Sequence, residues 1–173
     1  MSAPLPPLAE RLRPVELVDI IGQQHLTGAT GVFTKLIASR TLPSMILWGP
    51  PGVGKTTLAY ILSRNAGLPV FSLSAISSGV KDVREVIAQA KEAGKAVLFI
   101  DEIHRFNKSQ QDSLLGAVEQ GIITLIGATT ENPSFEVIQP LLSRCQVYIL
   151  NALEKDDLEN VIRNAIKQDE VLA

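Results

Sequence analysis

The octet GPPGVGKT, Gly49 to Thr56, restricts this chain more than any other stretch of it. It fits G-x-x-x-x-G-K-[S/T], and it lies between the apolar run SMILW and a helical pattern from Lys55 to Ala66. Gly49, Gly52 and Gly54 let the backbone curl so that successive amide N–H groups point inward at phosphate oxygens. The positive end of the following helix adds to the attraction. Lys55 is then placed for the β and γ phosphates of ATP, and the Thr56 hydroxyl for Mg²⁺. Pro50, Pro51, Val53 and Thr57 complete the candidate ATP-binding loop. A glycine-rich turn that binds nothing is the alternative, and the full motif between a strand and a helix disfavours it.

Short apolar runs and helical patterns continue to alternate after the loop. PVFSLS precedes Val80 to Ala93, AVLFID precedes Ser109 to Gln120, and IITLIG precedes a long turn-rich segment. Such alternation predicts an α/β fold, a parallel sheet with helices on both faces. Gly67, Gly94 and Gly121 each stand just past a predicted helix, where the chain needs a left-handed residue to return to the sheet. From Leu153 onward the pattern is an amphipathic helix with no strand after it.

With 173 residues, 46% apolar and 20% charged, the chain has the size and balance of one soluble globular domain. A formal net charge of −2 excludes a global basic field for nucleic acid or anionic membrane, so any DNA contact is local. One cysteine, Cys145, excludes an internal disulfide and reads as a buried free thiol in a reducing compartment. The opening MSAPLPPLAERLRP has no signal-peptide or transit pattern, and no apolar run approaches the roughly 20 residues of a membrane helix. The expectation is a cytoplasmic protein without a membrane partner.

AVLFIDEIH is an apolar strand that ends in two acids at the sheet edge where ligands of such folds collect. Asp101 is the candidate to hold Mg²⁺ through water, and Glu102 the candidate base that polarises a water for attack on the γ-phosphate. A small-molecule kinase keeps water away from that phosphate, so a base here points to hydrolysis. His104 has no second histidine or cysteine at ligand spacing, which rejects a zinc site. His25 reads as a packing or hydrogen-bonding residue, and Trp48 and Phe99 as core.

Together these residues resemble the AAA+ ATPases, clamp-loader branch. The strings RLRPVELVDIIGQQHL, GPPGVGKTTLA, SSGVKDVRE, FIDEIHRFNKSQQD and IGATTENPSFEVIQPLLSRC are most similar to the replication-associated recombination protein A family, bacterial relatives of the Werner-helicase-interacting ATPase. The resemblance implies a three-layer P-loop core over residues 25–150. A lead-in segment over 1–24 carries Leu12, Arg13, Pro14, Ile20 and Ile21 against adenine. Residues 151–173 are the first helix of a lid that is cut short before its sensor 2 arginine. It further implies that Thr130 is sensor 1, with Thr129 and Asn132 as alternatives, and that Ser74 links the base to DNA binding. Arg144 becomes an arginine finger reaching the nucleotide site of a neighbouring subunit; without the resemblance it would be a solvated arginine capping a short helix.

The helix VKDVREVIAQAKEAGK places Val83, Val86, Ile87 and Ala90 on one stripe, flanked by Lys81, Arg84 and Lys91 on one side and Asp82, Glu85 and Glu92 on the other. A salt-bridged, solvated face accounts for that pattern. The resemblance adds a second reading, in which Lys81 and Arg84 contact DNA phosphates, with Arg105 and Lys108 a weaker pair. The implied function is ATP-dependent work at stalled or gapped replication forks in replication, recombination and repair. The implied partners are fork, gap or single-strand/double-strand junction DNA, single-stranded-DNA-binding protein, and further copies in a homo-oligomer of the full-length, nucleoid-associated protein; the 173-residue piece itself could remain a monomer, with weak activity or none. A nucleotide-dependent binding module without hydrolysis, a branch-migration motor and a clamp-loader subunit are the alternatives.

Overall fold

Five short apolar runs form the strands, and their alternate residues supply the two sides of the core. The structure is a computed structural model that describes residues 23–28, 31–152 and 155–168. Its strands are β1 (Met45–Trp48), β2 (Val70–Ser74), β3 (Ala96–Asp101), β4 (Ile123–Thr129) and β5 (Gln146–Ile149). They make one parallel sheet in the order β2-β3-β4-β1-β5. Successive side chains of a strand point to opposite faces. Met45, Leu47, Val97, Phe99, Ile126 and Ala128 therefore enter one core, while Ile46, Ala96, Leu98, Ile100, Ile123 and Leu125 enter the other.

Helices cover both faces. On the first lie α1 (Gln24–Thr27), α2 (Val32–Ser39) and α3 (Lys55–Asn65), which contribute Leu26, Phe33, Leu58, Ala59, Ile61 and Leu62. On the second lie α4 (Val80–Ala93), α5 (Lys108–Glu119), α6 (Pro133–Glu136) and α7 (Gln139–Leu142), with a 3₁₀ turn over Ile103–Arg105. The last element is α8 (Lys155–Gln168), whose Leu158, Ile162 and Ile166 are exposed. The three layers are the architecture expected from the alternation. The predicted α4 has its observed bounds, and Val83, Val86 and Ala90 are its buried stripe.

Gly67, Gly94 and Gly121 have φ of 70°, 93° and 74°, the left-handed turns that end three helices. The turn-rich segment after β4 contains two helices that periodicity does not reveal. Each is one turn long, with a proline in its first turn, and the Asn132 side chain accepts from Ser134 N at the start of α6. At the sheet's far edge, Gln23 is fully buried and clamps the chain after β5. Its amide donates to Asn151 O and accepts from Asn151 N, both at 2.9 Å. His25 Nε2 lies 2.8 Å from Ile149 O, so this histidine binds backbone. Phe99 is core, as expected, whereas Trp48 is only partly buried.

Candidate nucleotide-binding site

Thr129, Gly49 and Asp101 bring three parts of the site to one edge of the sheet. β1, β3 and β4 are adjacent and parallel, so their carboxyl ends deliver the glycine-rich loop, the acidic pair and the threonine pair side by side. Gly52 and Gly54 have φ of 78° and 97°, so both need glycine, and Gly54 caps α3. Gly49 needs glycine for a different reason: it is buried, and a Cβ there would stand 2.6 Å from the carbonyl oxygen of Leu150. Val53 is buried, while Pro50, Pro51 and Gly52 are exposed around the rim of the loop.

Lys55 Nζ donates to the carbonyls of Gly49 and Pro50. Burial lowers its pKa from the usual lysine value, and the carboxylates of Asp101 and Glu102 oppose that shift. The ammonium therefore lies within electrostatic reach of both acids. Thr56 and Thr57 stand half-buried in the first turn of α3.

Residues Ala96 to Ile100 are buried, and Asp101 is the first exposed residue of its strand. Its Oδ1 accepts from Glu102 N at 3.0 Å. Glu102 takes φ 54° and ψ 47°, a left-handed conformation that costs a non-glycine residue on the order of 1–2 kcal/mol. The turn breaks the line of the strand and opens the 3₁₀ turn, where Arg105 Nε meets Glu102 Oε2 at 3.4 Å. Beside Asp101 in the register is Ser74, the exposed last residue of β2.

The two threonines after β4 have different surroundings. Thr129 is 2% exposed, and its hydroxyl meets His104 Nδ1 at 2.9 Å, Glu131 N at 2.9 Å and Glu131 O at 3.2 Å. Thr130 is exposed, and its hydroxyl bonds to no described residue. Asn132 is occupied in capping α6. Of the three sensor 1 candidates, Thr130 alone has an unengaged side chain among the described residues.

Among the described residues there is no group of three or more His, Cys, Asp or Glu that could form a metal cage. Mg²⁺ needs none when phosphate oxygens and waters complete its shell, and one carboxylate with one hydroxyl is a suitable protein share. Asp101 and Thr56 fit that donor set.

Arg144 lies apart from these residues, at the exposed end of α7. Its Nη2 is 3.0 Å from Glu119 Oε1 at the end of α5, and its Nη1 donates to Pro140 O at 2.7 Å. Within its own chain, then, it both caps a short helix and pairs with an acid 25 residues upstream. Lys81 and Arg84 are exposed on α4, and no ion pair joins them to a described residue. Asp82 instead accepts from Gly79 N at 2.7 Å and caps the helix. Arg105 pairs with Glu102, and Lys108 is exposed at the start of α5. Leu12, Arg13, Pro14, Ile20 and Ile21 lie outside the described residues. Sequence reasoning missed Glu119, the Gln23 clamp and the His104–Thr129 pair. Only His104, beside the acidic pair, stood out in the sequence.

A family model described as "ATPase family associated with various cellular activities (AAA)" matches residues 45–153. The chain is 53% identical over 165 residues to replication-associated recombination protein A of Escherichia coli K12, covering 93% of this chain and 37% of that protein. Over the same length it is 53% identical to the ATPase WRNIP1 of Dictyostelium discoideum, of which it spans 19%. Among solved structures it is similar to the RuvB Holliday junction branch migration motor of Thermotoga maritima, with TM-score 0.74 and 30% identity, covering 90% of this chain and 54% of that one. The chain thus spans well under half the length of the curated relatives it matches.

Proposed function

The chain belongs to the AAA family of ATPases, and from that membership and its likeness to replication-associated recombination protein A we propose that it is the ATP-hydrolysing core of a longer protein that works on DNA at stalled or gapped replication forks. One observation carries the hydrolytic part of this reading: Asp101 and Glu102 lie within electrostatic reach of Lys55 at a single sheet edge, with the exposed Thr130 on the neighbouring strand end. The chemistry that follows is in-line hydrolysis of the terminal phosphate. Amides of Gly52 to Thr56 and the Lys55 ammonium bind and orient the phosphates. Thr56 and Asp101 would hold Mg²⁺, which supplies charge neutralisation on the β and γ oxygens. Glu102 draws a proton from the attacking water, and Thr130 fixes that water's position.

Arg144 acts in trans in this scheme. A guanidinium stays charged and meets phosphate oxygens with paired hydrogen bonds, so it stabilises charge that grows on the transferred group of an adjacent subunit. The proposal therefore includes a homo-oligomer of the full-length protein. Arg13, Pro14, Ile20 and Ile21 form the adenine contact, and residues 151–173 begin the lid. Lys81 and Arg84, exposed and without ion pairs to described residues, meet DNA phosphates. Single-stranded-DNA-binding protein is the proposed protein partner, and the cytoplasmic nucleoid the proposed location. No helix among the described residues is long and apolar enough to cross a membrane.

Branch migration is the second reading, favoured by the likeness to RuvB at 30% identity. The 53% identity to replication-associated recombination protein A favours the first. The test is steady-state ATP hydrolysis by the full-length protein on forked and gapped DNA, with Glu102→Gln beside it. DNA-stimulated turnover that falls about 10²- to 10⁴-fold in the variant, with ATP still bound, is expected. Equal turnover in the two proteins would contradict the role of Glu102. Saturable ATP binding without turnover in either would leave a nucleotide-dependent binding module.

A further inference from the structure

We propose that His104 is a positioning residue: through Thr129 it locks the turn that carries Glu102 against both the turn that carries Thr130 and the start of the phosphate loop. The proposal rests on the reading of the site given above, and the chemistry of one hydroxyl supports it. A threonine hydroxyl has one proton and two lone pairs. Around Thr129 Oγ1 stand Glu131 N–H at 2.9 Å, which can only donate, Glu131 C=O at 3.2 Å, which can only accept, and His104 Nδ1 at 2.9 Å. All three are satisfied together when His104 donates from Nδ1. The hydroxyl is then saturated, and at 2% exposure Thr129 has no access to a water or a phosphate. Its work is to hold its neighbours.

The same residue reaches the phosphate loop through its backbone. Thr129 O accepts from Gly49 N at 3.1 Å, and Gly49 O accepts from the Lys55 ammonium. Hydrogen bonds and the backbone of two residues thus connect the 3₁₀ turn to the lysine of the loop. Packing fixes the other side of that turn. Ile103 is fully buried against Gly127, where a Cβ would stand 2.9 Å from both Ile103 Cδ1 and Ile46 Cδ1. Ile103 sets how deep the turn sits, and His104 sets how it is rotated.

Glu102 needs this restraint. A glutamate at φ 54° relaxes to ordinary backbone unless its surroundings over-determine it. Relaxation would swing its carboxylate away from the water it is proposed to activate. Nucleotide affinity depends on the loop amides and Lys55, so loss of the His104 bond should lower kcat and leave binding alone.

The experiment measures kcat, KM and nucleotide affinity in the full-length protein for His104→Asn, His104→Gln and Thr129→Val. Asparagine presents an amide N–H near the position of Nδ1, and glutamine presents one near Nε2, away from Thr129. The expected result is wild-type-like kcat for His104→Asn, a loss of about tenfold for His104→Gln, the effect of one ordinary hydrogen bond, and at least as large a loss for Thr129→Val, which also removes the two bonds to Glu131. Nucleotide affinity should stay near wild type in all three, and so should the thermal midpoint of the two His104 variants; Thr129→Val also takes the hydroxyl from Glu131 N–H and C=O and should lower its midpoint. The double variant H104Q/T129V should lose no more than Thr129→Val alone, because that change already removes the bond His104 makes. Full kcat in His104→Gln, equal losses in the asparagine and glutamine variants, additive losses, or a loss matched by weaker nucleotide binding would each overturn the proposal. Glu102→Gln separates the two readings. If it silences turnover while the His104 variants keep theirs, only the positioning role fails; if it changes nothing, both fail.

Discussion

The two parts of the proposed site are built differently. At the carboxyl ends of β1, β3 and β4, the groups that would surround ATP are fixed by buried strands and by bonds to one another: Thr129 to Gly49 and His104, Gly49 to Lys55. Arg144 has no such frame. It stands on a short helix at the rim, its side chain 42% exposed, and its partner Glu119 is 41% exposed. An exposed ion pair contributes about 0–1 kcal/mol, and salt screens it. The first region is preorganised for a ligand, while the second holds a charge that a phosphate can readily take over. A residue with work to do in another subunit requires that second construction, since a deeply buried arginine could not reach out.

The sharpest way to break this comparison is Arg144→Ala in the assembled full-length protein. A finger that acts on a neighbour predicts a loss of about 10³- to 10⁵-fold in ATP turnover, with equilibrium nucleotide binding retained. A loss below tenfold, accompanied by a lower thermal midpoint, would reduce Arg144 to the helix cap seen within its own chain. Gly127→Ala probes the rigid region instead. The added methyl must displace the ends of Ile103 and Ile46, an overpacking that costs about 1–3 kcal/mol. Urea denaturation checks the stability, and kcat should fall with it because Ile103 supports the turn after Glu102.

The smallest effect is expected at Cys145, just after Arg144. The residue is partly buried rather than buried as the sequence suggests, and that desolvation pushes its thiol from 9.0 up to about 12. The folded state therefore keeps this proton after the unfolded state has lost it. The resulting stabilisation is complete below about pH 9 and disappears as pH rises toward 12. Cys145→Ala should remove that part of the alkaline loss of stability, measured by denaturant midpoints across this range. An unchanged pH dependence would contradict the upward shift of the thiol.

The layers of the fold were legible because glycines punctuate it. Gly67, Gly94 and Gly121 mark helix ends that periodicity alone leaves uncertain, and GPPGVGKT and FIDE each fall on a strand's carboxyl end. Other features had no local mark. Nothing in a Glu-Ile-His triplet announces a left-handed glutamate; packing of Ile103 and bonding of His104 impose it. Thr129 and Thr130 are equivalent as letters, and burial at the end of β4 separates them. Arg144 and Glu119 meet only because α5 and α7 lie on the same face of the sheet. α2 has no counterpart among the helical patterns read from the sequence, although Phe33 is fully buried from it. The acids and bases alternating along α4 suggested ion pairs, yet Asp82 turns to Gly79 N and leaves Lys81 and Arg84 without one among the described residues.

The central claim is that the preorganised half and the exposed arginine belong to different subunits of one working site. Mixing two full-length variants, Lys55→Ala and Arg144→Ala, each inactive alone, tests it most directly. Recovered ATP turnover in confirmed mixed oligomers is the predicted result, because the intact loop of one subunit then meets the intact arginine of the other. No recovery in those mixed oligomers would contradict the account and confine Arg144 to its own chain.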